Sequence, residues 1–178
     1  MPGEDKKQVH IRPFNAEDYE KGKDLMAQVH SLHVQGDPTL FRPATPESLS
    51  EYYPTFLNAA EQLSCVAEDS SGALVGLCLV NLHDHPEGHP LLADRRYAVI
   101  EALAVSEQYR RRGVGTKLIE RVFKQASFMR LDGVDLSVAS FNRSACAFYE
   151  KLGFRTRSYH MEYKFQSKQR RENNDSLR

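Results

Sequence analysis

The chain has no excess of either charge: 24 lysines and arginines stand against 24 aspartates and glutamates over 178 residues. A general attraction to nucleic acid or to an anionic membrane needs a net positive field, so neither partner is expected and basic character has to be local. Long apolar runs are also missing. No segment approaches the roughly 20 residues that cross a bilayer, and the opening Met1 to Gln8 has no apolar centre of the kind a secretory leader requires, so a cytoplasmic location is expected. Cysteine is scarce: Cys65, Cys78 and Cys146 are odd in number and scattered among apolar neighbours. They read as buried thiols, not as a disulfide framework or a zinc site. No internal repeat is found.

What the chain does have is the length for a single domain with a real core, expected over residues 1–165, followed by a polar, charged and disordered tail over 166–178. Val9 to Phe14 alternates and stops at Pro13, as a short first strand does. Asn15 is placed as an N-cap, with Asp18 three residues on, for a helix from about Glu17 to about Val34. After a Pro- and Gly-containing loop, Thr45-Pro46-Glu47-Ser48 opens a second helix to about Ala60. Leu63 to Glu68 and Ala73 to Leu82 read as strands joined by the hairpin Asp69-Ser70-Ser71-Gly72. A second loop, His83 to Ala93, precedes the central strand.

That strand begins the most informative stretch, Arg96 to Phe128. Tyr97 to Val105 is an apolar run with one carboxylate, Glu101, and reads as a strand buried on both faces. Beyond it, Leu118, Ile119, Val122 and Phe123 recur at helical spacing, with Lys117, Glu120, Arg121 and Lys124 on the wet face, so a helix is expected to about Arg130. Between strand and helix lie Arg110, Arg111, Arg112, Gly113, Val114, Gly115 and Thr116. Glycines let a ligand approach the main chain, a helix start leaves N–H groups without acceptors, and its dipole favours an anion. The pattern suits phosphate. A P-loop is excluded because Thr116 precedes Lys117, and a dinucleotide fingerprint because position 118 is Leu and not Gly.

Downstream, Val134 to Ala139 is expected as a strand parallel to the central one, since a crossover helix joins them. Asn142 opens and Gly153 closes a helix whose Ala145, Phe148, Tyr149 and Leu152 share a face. Arg157 to Phe165 is expected as a last strand. The segment Arg110-x-x-Gly113-x-Gly115 resembles the acetyl-CoA signature of the GNAT superfamily of N-acetyltransferases. Asn142, Ala145, Phe148, Tyr149 and Gly153-Phe154 are similar to its ending Asn-x-x-Ala-x-x-Phe-Tyr-x-x-x-Gly-Phe. Together the two motifs span Tyr97 to Phe154.

The resemblance implies an α/β fold of the α+β kind: a mixed central sheet flanked by helices, with the two parallel central strands splayed apart. It implies acetyl transfer from acetyl-CoA to an amine by direct attack in a ternary complex. N–H groups from Arg110 to Thr116 would cradle the diphosphate, and main-chain groups of Leu103, Ala104 and Val105 would take the pantetheine arm. Asn142, Ala145 and Phe148 would line the cofactor side. Glu101 would take the amine proton, and Tyr149, whose phenol ordinarily titrates near 10, would protonate the departing thiolate.

Alternatives stay open at this point. Glu101 could be a structural carboxylate, Tyr149 a packing aromatic, Asn142 only a cap, and any one of Arg110, Arg111 and Arg112 a solvated side chain. A non-catalytic acyl-CoA-binding module would carry the same motifs. His83-x-His85-x-x-x-His89 sits in a loop without a completing ligand set, so no metal is expected. The acceptor, a small-molecule amine or a protein amine, is not written in the sequence, although Phe41, Tyr52, Tyr53, His33 and His83 are placed to form an aromatic and polar wall. Family members are often dimers, and a homodimer is one arrangement the resemblance allows.

Overall fold

The computed structural model describes residues 8–52, 63–85 and 88–165. In chain order these form β1 (His10–Pro13), α1 (Asp18–Gly36), α2 (Pro46–Tyr52), β2 (Cys65–Glu68), β3 (Leu74–Asp84), β4 (Arg96–Val105), a short 3-10 turn (Glu107–Tyr109), α3 (Val114–Phe128), β5 (Gly133–Leu136) and α4 (Arg143–Lys151). The strands lie in the order β1-β2-β3-β4-β5. The first four pair antiparallel and β4 pairs parallel to β5, the mixed sheet that was expected. The continuation of α2 to Ala60, and the tail over 166–178, fall outside the described residues. Two units are distinguished, one up to Cys146 and one from Ala147 onward.

Both faces of the sheet are covered within the first unit. On one, Phe14, Leu25 and Met26 pack with Val66, Leu77, Leu79, Ala102 and Ala104. On the other lie the buried Leu118, Ile119 and Val122 of α3, with the Cys65 thiol 3.7 Å from the Leu118 carbonyl. Each large apolar side chain withdrawn in this way contributes about 1.5–3 kcal/mol. Cys65 and Cys78 are cross-strand partners, buried and unbridged, whereas Cys146 is only half-buried. A hydrogen bond with Cys65, together with full burial, pushes the Cys78 thiol well above its ordinary value, which keeps it inert.

The helix ends follow local chemistry. The Asn15 side chain accepts from the N–H groups of Glu17 and Asp18, and the Asp18 carboxylate reaches back to the Asn15 N–H at 2.9 Å. Thr45 and Ser48 exchange the same kind of bonds at the start of α2. Asn142 caps α4 by accepting from the Ala145 N–H at 3.2 Å. Gly153, at φ 93°, closes α4 with the Phe154 N–H on the Tyr149 carbonyl, a left-handed C-terminal cap.

The expected last strand does not form: residues 154–165 carry neither helix nor strand. A strand is held by ladder bonds to a neighbour, and among the described residues of the second unit there is no strand to supply them. Tyr159, Met161 and Tyr163 keep the alternation that suggested a strand, but all three are exposed.

Candidate active site

β4 leaves the sheet at Val105 and enters the arginine turn within a few residues. The Ser106 N–H still reaches back to the Val75 carbonyl at 2.9 Å, after which the 3-10 turn redirects the chain. Arg111 has φ 59° and Gly113 φ 79°. A Cβ at Gly113 would meet nothing within 4 Å, so glycine is there for its left-handed backbone and not for space. Gly76 of β3 has the opposite reason: a Cβ would crowd the Leu118 and Val114 side chains and the Ala104 carbonyl at 3.1–3.2 Å. Its absence lets the start of α3 lie close against β3.

The first N–H of α3 with a partner one turn back is that of Lys117, which donates to the Gly113 carbonyl at 3.0 Å. Those of Val114, Gly115 and Thr116 have no intrahelical acceptor, no side-chain cap is found among the described residues, and the first turn holds no acidic residue. The other helices fill this position with Asn15, Thr45 or Asn142. A 15-residue helix left uncapped behind three arginines has the electrostatics of an anion site. The three arginines do not have one role. The Arg110 guanidinium donates through Nε to the Val105 carbonyl at 3.0 Å, and that of Arg112 lies 5.8 Å above the Tyr109 ring.

The pairing of β4 with β5 runs only from Tyr97 to Ile100, opposite Gly133 to Leu136. Past Ile100, β4 has ladder partners on the β3 side alone among the described residues. The edge along Leu103, Ala104 and Val105 is thus left open where the two parallel strands part, as the resemblance implied. β5 is correspondingly shorter than expected, stopping at Leu136 and not Ala139.

Period-two alternation along β4 would put Glu101 on the face of Leu103 and Val105, and the register shows otherwise. The register of β3 with β4 shifts between Leu79 and Val80, opposite Ala102 and Ile100, and Glu101 is the extra residue of that bulge. After the bulge Ala102 and Ala104 join the core on the α1 side, while Leu103 pairs with Cys78 on the α3 side. Glu101 accepts from Asn81 Nδ2 at 3.3 Å and lies 3.9 Å from His83 Nε2. Asn81 follows Leu79 by two residues and shares its face, so Glu101 does not share a face with Leu103 and Val105. Nor is β4 buried on both faces along its whole length: Ala98 and Ile100 are buried before the bulge, on the Val80 side, and Ala102 and Ala104 after it, on the Leu79 side, while Glu101 reaches water. A carboxylate with a solvent route and two polar neighbours can receive a proton and release it.

The first unit thus holds Glu101, Leu103 to Val105, Arg110 to Thr116, Asn142 and Ala145. Phe148 and Tyr149 belong to the second, where the Tyr149 ring lies 5.3 Å from that of Phe148 and 5.5 Å from that of Phe154. Of the proposed aromatic wall, His33 stacks on Phe41 at 5.0 Å and meets Phe141 edge-on, and His83 stacks on Tyr97 at 5.7 Å. Burial, then His30, lowers the His33 imidazole below its ordinary value, so it is neutral at pH 7. Tyr52 ends α2 and Tyr53 lies outside the described residues. Among the described residues no group of three or more His, Cys, Asp or Glu side chains could hold a metal ion. Sequence reasoning missed Asn81, Asp69 and Tyr109. Asp69 was visible only as a hairpin residue, and Tyr109 carried no signal beyond its place before the arginines.

A profile described as the Acetyltransferase (GNAT) family matches residues 27–154. The chain belongs to the GNAT acetyltransferase family. Similarity to streptothricin acetyltransferase A of Bacillus subtilis is 41% identity over 58 residues, 33% of this chain and 34% of that protein. N-alpha-acetyltransferase 30 of Xenopus laevis is 35% identical over 92 residues, 52% of this chain and 30% of that protein. The chain therefore spans about a third of the length of these two curated relatives. Among solved structures, a mutant BH1408 protein of Bacillus halodurans matches with a TM-score of 0.78 at 27% identity, over 88% of this chain and 99% of that one. The mixed sheet flanked by helices is the GNAT fold.

Proposed function

We propose that this GNAT domain transfers the acetyl group of acetyl-CoA to a primary amine, in the cytoplasm, by direct attack within a ternary complex. The observation that carries the reading is the uncapped start of α3 behind Gly113, at the end of the strand whose edge opens at Leu103 to Val105. The N–H groups around Gly113 to Thr116 hold the diphosphate there, and the open β4 edge takes the pantetheine arm. The match of their motif to the family is the support for giving Asn142, Ala145 and Phe148 a part in binding the cofactor.

In the transfer, the amine nitrogen forms a bond to the thioester carbonyl carbon and the carbon–sulfur bond breaks. The amine proton passes to Glu101 through water, and the CoA thiolate takes a proton from Tyr149. Support for Glu101 is its position on the bulge beside Asn81 and His83, with access to solvent. Support for Tyr149 is the match of its motif to the family. The acceptor is a small-molecule or protein amine, the two kinds suggested by the names streptothricin acetyltransferase and N-alpha-acetyltransferase.

A thiol-release assay with acetyl-CoA and a broad panel of amines tests this reading. Amine-dependent CoA release is the expected result. Tight CoA binding with no release across the panel would contradict it in favour of a non-catalytic module, and no binding would remove the CoA site itself.

A further inference from the structure

Asp69 sits at the β2–β3 hairpin, 40 residues from the turn it touches. Its Oδ1 is fully engaged by that hairpin, accepting from the Ser71 N–H at 2.9 Å, the Ser71 hydroxyl at 2.6 Å and the Ala73 N–H at 3.1 Å. Oδ2 is left for one long-range partner, the Tyr109 hydroxyl, at 2.8 Å. The hairpin is itself closed by the Asp69 N–H to the Ala73 carbonyl and the Gly72 N–H to the Asp69 carbonyl, both at 3.0 Å. The carboxylate is therefore a fixed post. Four donors hold its proton off, with Ser71 first and Tyr109 second, so it titrates at about 2 and stays ionised through the physiological range. Tyr109 ends the 3-10 turn directly before the arginines, and its ring carries the Arg112 guanidinium at 5.8 Å.

We infer that Asp69 and Tyr109 are positioning residues for the coenzyme: they fix the turn between β4 and α3 and hold Arg112 beside the helix start, where it meets the diphosphate. This rests on the acetyl-CoA reading of the same turn. It also separates the arginines, since Arg110 is engaged with the Val105 carbonyl while Arg112 is carried on the braced ring. An anion site made of main-chain amides depends on the turn keeping one shape. The turn has two residues at positive φ, and a brace from outside it limits the alternatives.

The test is calorimetric titration of CoA into the full chain and its variants, with thermal stability measured alongside. Tyr109→Phe and Asp69→Ala are each expected to weaken CoA about tenfold. The double variant should be little worse than either single one, because both remove the same link. Ser71→Ala loosens the hairpin yet leaves Oδ2 to Tyr109, and should stay within about twofold of wild type. With an acceptor from the amine panel, Tyr109→Phe should raise KM for acetyl-CoA and leave kcat unchanged. KM for S-acetylpantetheine, which lacks the diphosphate, should also be unchanged. Wild-type CoA affinity in Tyr109→Phe, an equal loss in Ser71→Ala, or a matching loss with S-acetylpantetheine would overturn the inference. Failure of the wild-type chain to bind CoA would instead remove the acetyltransferase reading beneath it.

Discussion

At the bulge between Ile100 and Ala102, Glu101 meets the Asn81 amide and reaches solvent, so its replacement by Gln keeps a hydrogen-bond acceptor and removes only the base. Glu101→Gln is expected to lower kcat about 10²-fold with CoA affinity unchanged, the low end for loss of a general base. Tyr149→Phe should do the same through loss of the general acid. Steady-state kinetics beside calorimetry checks both, and wild-type turnover in both variants would show the roles to be wrong. The carboxylate itself was legible in the sequence as the one acidic residue in Tyr97 to Val105, but its face was not. Alternation counts residues and cannot see that a partner strand skips one, and nothing in Val-Ile-Glu-Ala-Leu marks the bulge. Asn81 and His83 could be connected to Glu101 only through the β3–β4 register.

Elements are joined here by two kinds of interaction, and only one of them was readable in advance. Caps are local: Asn15, Thr45, Asn142 and Gly153 lie within a turn of the groups they satisfy, and all but Thr45 were placed from residue type, the start of α2 being read from Pro46 instead. The link between β1, α1 and β2 is not local. Arg12 pairs with Asp18 at 2.6 Å and also with Glu68, residues 6 and 56 positions away. Burial alone would raise the Asp18 carboxyl, but the Arg12 hydrogen bond and the Asn15 N–H outweigh it and hold it below its ordinary value. The Arg12 hydrogen bond likewise lowers Glu68. Depressed carboxylates stabilise the fold above their unfolded pKa, and the contribution is lost as pH falls through the folded values. Stability should therefore fall below about pH 4, and Asp18→Asn should flatten that limb in acid titrations followed by circular dichroism. Arg12→Ala leaves Asp18 buried and unpaired, and should cost about 3 kcal/mol at neutral pH.

The turn before α3 gives a sharper contrast. A Cβ at Gly113 has room, so Gly113→Val should fail through its backbone, weakening CoA strongly, while Gly113→Asn, which tolerates the left-handed region, should retain much of the affinity. Equal affinity in both variants and wild type would show that the turn does not hold the coenzyme.

On the scale of the whole molecule, the balance of 24 basic and 24 acidic residues gives no net field for a polyanionic coenzyme, so its attraction has to be local, and the proposal assigns it to the arginines ahead of α3. CoA affinity should fall several-fold between about 0.1 M and 1 M salt, over which the Debye length shrinks from about 10 Å to about 3 Å. An affinity insensitive to salt would put the diphosphate away from those arginines. The order of strands and helices was legible because hydrophobic period and breakers agree along most of the chain. The segment from Arg157 to Phe165 was misread because an alternating pattern reports suitability for a sheet and not the presence of a neighbour. The most direct test of the account is a crystal structure of the protein with CoA. The diphosphate oxygens should lie within about 3 Å of the N–H groups of Val114, Gly115 and Thr116, with the pantetheine arm along Leu103 to Val105. A diphosphate bound elsewhere, or a cleft without coenzyme at saturating concentration, would contradict it.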